Sequence, residues 1–373
     1  MTDPRIRKWA DVLTRYSAPV QPGHKVLIRG TTLAEPLILQ LVRAVLERDA
    51  YPHVQMEPPE LNEVIFRYAS DRVLDMVPDL MRMEFERMDV RFTVRSDSNT
   101  RALTNVDPAK MVRAQRARQS LTDLVMQRQA AGDLNCCGTL FPNPAYAQDA
   151  EMGLLEYAEF VFDACFLNED DPVARWQQQA EHQQRLVEYL DAAHEVHVKA
   201  SGTDLRVGVG GRKWINARGN RNFPDGEVFT GPVENEVNGH VTFNFSSVYA
   251  GREVRGVQLW FEEGRVVKAS ADHNKEFLLK TLDTDEGARF LGEFAFGTNF
   301  NIQRFVRNTL FDEKIGGTIH MALGFSPPET GGKNLSAIHW DIVCDLREEG
   351  EVYVDGELFQ KEGHFTILDG GVV

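Results

Sequence analysis

Cysteine is scarce in this chain, long hydrophobic runs are missing, and positive charge is outweighed by negative. Four cysteines in 373 residues are too few for a disulfide framework in a protein of this size. Cys136 and Cys137 are adjacent while Cys165 and Cys344 are isolated, so reduced thiols in the cytoplasm are expected, without the spacing of a Cys-based zinc site. No apolar run is long enough to span a bilayer, and charges interrupt every apolar stretch of MTDPRIRKWADVLTRYSAPV, unlike a secretory leader. With 41 Lys and Arg against 56 Asp and Glu, the formal charge of -15 repels nucleic acid and anionic membrane alike. Repeats and low-complexity tracts are also missing. Gly30 after the first predicted strand has no GxGxxG or P-loop pattern behind it, which disfavours nucleotide binding. What is present is 42% hydrophobic and 26% charged residues, enough for two domains and a large core.

The first half reads as alternating strands and helices. Lys25–Arg29 follows a Pro-Gly turn as a short strand, Ala34 to Arg48 has amphipathic helical spacing, and His53 to Met56 completes a βαβ unit. Asp89 to Val94 and Phe160 to Phe166 read as further strands, giving an α/β N-terminal domain, residues 1–190, with a mainly parallel sheet. A polar helix from Asp171 to about Ala193 connects it to the second half. There the pattern changes to hairpins: Glu195 to Ala200 against Leu205 to Val209, and Gly251 to Phe261 against Val266 to Ala271. Residues 191–373 are expected to form a β-rich α+β domain.

That second half holds the candidate chemistry. In GTIHMALGFSPPETGGKNLSAIHWDIVCD, His339 and Asp341 are two apart and leave one face of a strand, and a turn or neighbouring strand can place His320 beside them. Two readings fit: a site for zinc, cobalt, manganese or iron(II), or strand histidines satisfied by backbone partners. Glu227 begins an apolar strand after a Pro-Asp-Gly turn, and Glu293 lies among Leu291, Phe294 and Phe296. Either is a surface carboxylate or, if buried, needs a cation or hydrogen-bond donor. His240 and His273 read as surface or partner-satisfied histidines, and Trp340 as a core residue. Lys333 and Asn334 suit a substrate contact or a turn. Glu286 and Glu329 are alternative acid or base candidates, each with a solvated role as the simpler reading.

The segments PDGEVFTGP, TDEGARFLGE, HMALG and SAIHWD, in that order, resemble the M29 family of metallo-aminopeptidases, also called the aminopeptidase T family. The resemblance covers most of the chain and is most specific between about Asn216 and Asp345. It implies a dinuclear centre formed by Glu227, Glu293, His320, His339 and Asp341, with Glu293 or Asp341 bridging and Glu227 and Glu293 as catalytic carboxylates. It implies two divalent ions (zinc, cobalt, manganese or magnesium), peptide substrates with a free N-terminus, and a homodimer. Two ions with a water between them would deliver hydroxide to a peptide carbonyl. One departure stands out: the family's functional tyrosine, seven residues beyond the histidine of HxALG, is replaced by Pro327. Phe325 has no hydroxyl, leaving Tyr249 and Tyr353 as phenols that only the fold can bring near. The scaffold also resembles that of 2,5-dihydroxypyridine dioxygenases, which hold one iron(II) with two histidines and an aspartate, so ring cleavage is an alternative. A metal-binding homologue without turnover is another.

Overall fold

The strand expected at Lys25–Arg29 runs as Lys25–Thr31 in the computed structural model, which describes residues 3–367. It lies inside a parallel sheet ordered Tyr51–Glu57, Lys25–Thr31, Val90–Arg95, Asn135–Leu140 and Asn222–Phe223. Helix Glu35–Leu46 returns the chain between the first two strands, burying Leu37, Ile38, Leu41, Ala44 and Val45 along one stripe. Gly30 has a packing explanation, because a Cβ there would stand 2.8 Å from the Val94 carbonyl oxygen.

The strand expected at Phe160–Phe166 is instead the end of helix Leu154–Ala164. A short apolar run fits either element by periodicity. Tyr157, Val161 and Ala164 are buried at helical spacing, and Gly153 precedes the first turn. The fourth strand of the sheet is Asn135–Leu140, whose asparagine, adjacent cysteines and glycine carry little strand signal.

The chain forms two compact units, one containing the described residues to Ala174 with Gly219–Pro224, the other Arg175–Arg218 with the described residues from Asp225 onward. Helix Pro172–Leu190 leads into the second unit. That unit contains an eight-stranded sheet and a separate five-stranded antiparallel sheet. The first expected hairpin forms as Glu195–Ala200 with Thr203–Gly208. The second is shorter than expected: Gln258–Glu262 pairs with Arg265–Ser270, while Arg252–Val254 turns back onto Ser247–Tyr249. Ala250 and Gly251, both at positive φ, make the turn of that short hairpin, and Gly256, at φ of 63°, breaks the strand between Val254 and Gln258.

The five-stranded sheet positions the candidate residues. Its order is His339–Asp345, Thr318–Gly324, Leu291–Gly297, Glu227–Thr230 and Ile215–Ala217. Side chains alternate between its faces. Val228, Phe294, Phe296, Ile319, Met321, Leu323, Trp340 and Ile342 enter a large apolar core, where Trp214 stacks on Phe296 at 5.8 Å. The opposite face carries the polar residues.

Candidate metal centre

Strand register collects the five candidates on one face. Gly297 aligns with Glu227 and Ala295 with His320. Ala322 aligns with both Glu293 and Asp341, and Gly324 with His339. Alanine and glycine thus separate the longer polar side chains, leaving room between them. A Pro-Asp-Gly turn starts the first of these strands: Gly226 has φ of 127° and a Cβ there would lie 2.7 Å from Asn299 Cβ. Gln183 fastens the same strand by donating from its buried Nε2 to the Glu227 carbonyl at 2.8 Å. Ahead of His339, Asp285 accepts from the Ser336 hydroxyl and the Ala337 amide, both at 2.8 Å, fixing the approach to that strand.

Two clusters result, one of Glu227, Glu293 and His320 and one of Glu293, His339 and Asp341, with donor atoms in each lying within 4.8 Å of one another. His320 Nε2 is 3.2 Å from both Glu227 Oε2 and Glu293 Oε1. His339 Nε2 is 3.3 Å from Asp341 Oδ1 and 3.8 Å from Glu293 Oε2. Glu293 therefore turns one carboxylate oxygen toward each cluster. The first cluster is buried, whereas the His339 side chain is 34% exposed and marks the open side. Its Nδ1 donates to the Phe325 carbonyl at 2.9 Å, leaving Nε2 free to act as a ligand.

Two residues that sequence reasoning missed complete the surroundings. Lys314 Nζ pairs with Glu227 Oε1 at 2.9 Å and Glu313 Oε2 at 2.6 Å. Glu313 also hydrogen-bonds Asp341. The only sequence signal was an adjacent acid and base in FDEKIGG, which ordinarily marks a solvated turn. Burial alone would lower the Lys314 pKa, but Glu227, Glu313 and Asp225 hold it well above the usual range. Burial raises Glu313 to about 8, with the Asp341 and Glu227 charges adding to the effect. Burial also raises Glu293, against the hydrogen bond from His320.

The histidines move opposite to what burial alone would do. His320 is pushed up to about 9 by its bond to Glu293 and the charges of Glu227, Glu313 and Glu293. His339 rises to about 10 beside Asp341 and Glu293. Asp341 falls to about 2, because the His339 bond and the two imidazolium charges exceed its burial cost.

The donor set fits a divalent ion on its own chemistry. Glu227 Oε2 and Asp341 Oδ1 are buried and, among the described residues, face imidazole Nε2 atoms at 3.2 and 3.3 Å without a well-aligned hydrogen bond, an arrangement of carboxylate oxygens that a shared cation would satisfy. Carboxylates and imidazoles together suit zinc, cobalt or manganese. A narrow crevice of about 20 Å³ touches Glu313 and Asp341, space on the scale of one water.

The other sequence candidates lie elsewhere or act structurally. Glu286 and Glu329 are exposed. Asn334 is buried and donates to the Gly287 carbonyl, while the Lys333 amide donates to Glu234, so GGKN is a braced turn. Trp340 is buried on the core face and Tyr249 stacks on it at 5.1 Å. Tyr353 sits in the eight-stranded sheet with its hydroxyl on Glu351. Pro327 precedes a short 3-10 turn, Pro328–Thr330, and its carbonyl accepts from the Thr330 hydroxyl.

The family described as thermophilic metalloprotease (M29) matches residues 2–370. Aminopeptidase 2 of Geobacillus stearothermophilus is 29% identical, covering 94% of this chain and 95% of that protein. Aminopeptidase T of Thermus thermophilus is 28% identical, with 94% and 95% covered. The solved structure of wild-type AmpT from Thermus thermophilus superposes with a TM-score of 0.85 at 27% identity, covering 98% of this chain and 99% of that one. A 2,5-dihydroxypyridine dioxygenase from Pseudomonas putida shares the fold, with a TM-score of 0.61 at 13% identity over 98% and 97% of the two chains.

Proposed function

Because the chain belongs to the thermophilic metalloprotease (M29) family, it is a metal-dependent hydrolase, and we propose that it removes N-terminal residues from peptides at a dinuclear centre. The proposed ligands are Glu227, Glu293 and His320 for one ion, and Glu293, His339 and Asp341 for the other. Glu293 carries this reading, since its two oxygens face different clusters. A facial triad for a single iron would need only the histidines and one carboxylate. The ions, when bound, supply a water of lowered pKa and polarise the scissile carbonyl.

The chain's own residues then divide the remaining work. Lys314 anchors Glu227 through Oε1 and leaves Oε2 directed at the cluster. The Phe325 carbonyl fixes the His339 ring. We assign catalytic roles to Glu227 and Glu293: both are buried on the ligand face, and as ionised ligands they would hold the ions that activate the water, while a proton must still reach the leaving amine. The carboxylate-rich face also attracts the cationic α-amino group of a peptide, which selects free N-termini. With Pro327 in place of a phenol, no tyrosine performs that transfer from this position. The same proposal includes a homodimer acting on peptides in the cytoplasm.

The test combines metal analysis with aminoacyl chromogenic substrates in the presence of zinc, cobalt, manganese or magnesium. Two ions per chain and release of N-terminal residues are expected, with loss of both from Glu293→Ala. Fully metallated protein that cleaves none of the panel, together with unchanged metal content in Glu293→Ala, would sink the reading. One iron per chain with ring cleavage would favour the dioxygenase chemistry.

A further inference from the structure

The parallel sheet of the first unit has a basic patch on one face. Leu27 is the register partner of Arg91 and Thr93 that of Arg29, so the two arginines rise from adjacent strands on the same side. Helices Asp79–Arg87 and Gln119–Ala131 supply the opposite wall of a cavity of about 370 Å³. Arg29, Arg91 and Arg118 line it together with Phe85, Leu121 and Met126. A volume of this size lies within the usual range for small-molecule sites, which combine an apolar wall with a few convergent polar groups.

The arginines differ in how they are satisfied. Arg29 pairs with Glu57 at 2.6 Å. Arg91 stacks over the Phe85 ring at 4.8 Å, but its Nε is buried without a hydrogen-bond partner among the described residues. Burial pushes the Arg91 pKa down, with the Arg29 charge adding to this and Cys136 and Glu84 opposing it. Glu84 itself lies 4.0 Å from His53. A guanidinium remains charged in such a place, and an unpaired donor there is costly. Arg118 is exposed and places a further positive charge on the lining.

We infer that this cavity binds a small organic anion, with its carboxylate or phosphate on Arg91 and Arg118 and its apolar body against Phe85, Leu121 and Met126. Arginine suits both anion types through paired N–H donors. Its lining shares no residue with the proposed metal ligands, and the inference does not depend on the peptidase reading.

Calorimetric titration of the metal-loaded full chain with octanoate and with phenyl phosphate tests this, using octanol, phenol and inorganic phosphate as controls. Saturable binding of at least one amphipathic anion at one per chain is expected, and whichever binds identifies the anionic group. Arg91→Met and Arg118→Gln should each weaken it at least about tenfold, equivalent to about 1.4 kcal/mol. Glu293→Ala should leave it intact, which separates it from anion capture at the metal centre. Arg118→Gln changes an exposed side chain and keeps the test valid if Arg91→Met fails to fold. The inference is overturned if neither anion saturates, if the arginine substitutions leave affinity unchanged, or if Glu293→Ala abolishes binding. Equal affinity for inorganic phosphate, or for the uncharged controls, would overturn the amphipathic assignment.

Discussion

Lys314 is the residue on which the charge balance of the candidate centre turns, with 1% of its side chain exposed and carboxylates on two sides. Lys314→Met removes the cation but leaves Glu227 and Glu313 in place, and breaking a buried pair in this way costs about 3–5 kcal/mol. Chemical denaturation of the metal-free protein should show a loss of that order, and metal titration should show weakened uptake. Protons supply a second residue-level readout. His320 at about 9 and His339 at about 10 both stand above the ordinary value near 6.5. Their contribution to metal-free stability is therefore complete below about pH 6.5 and disappears as pH rises through 9 and 10. Melting temperatures of the metal-free protein between pH 7 and 10 should fall. Because ligand imidazoles must be neutral, metal uptake at pH 7.5 should release about two protons per chain, measurable by calorimetry in buffers of different ionisation enthalpy. Uptake without proton release would contradict ligation by these histidines.

At the scale of elements, the spacing of small residues matters as much as the ligands. Ala322 stands between Glu293 and Asp341 across the ladder, and a longer side chain would occupy the intervening space. Ala322→Leu should cost about 1–3 kcal/mol through overpacking and lower the number of ions bound, as read by elemental analysis of the refolded, metal-loaded variant. An unchanged metal count would show that this gap is not needed. Local patterns revealed part of this sheet. The two-residue spacing of His339 and Asp341 indicated a shared strand face, and the Pro-Asp-Gly turn marked the start of the Glu227 strand. The same reasoning failed for Phe160–Phe166, because a short apolar run does not distinguish a strand from the last turns of a buried helix. It also ran one strand from Gly251 to Phe261, whereas Gly256 takes a positive φ and separates Arg252–Val254 from Gln258–Glu262.

For the whole molecule, the ligand sheet is backed by the continuous apolar core of the second unit, so a bound metal should couple to the unfolding of that unit. Chelation is expected to abolish hydrolysis and lower the melting temperature. Ligand present at about 1,000 times its Kd contributes about 4 kcal/mol, and restoring metal should recover both properties. An unaltered melting temperature after complete removal would show that the site folds without help from its ions. The acidic excess fits this arrangement only loosely, since the carboxylates of the centre are a small part of 56 acidic residues.

The sequence alone determined the parallel α/β character of the first unit, through local spacing and alternation, and the family resemblance, through residue identity; that resemblance is what implied the five candidate ligands in their order. Tertiary structure decided which oxygen of Glu293 faces which histidine, that Lys314 and Glu313 are buried beside them, and that Arg91 lines a cavity with no ion pair among the described residues. Those facts arise from register between distant strands and from burial. A residue's charge can be read from its letter, but the cost of keeping that charge depends on which groups the fold places around it.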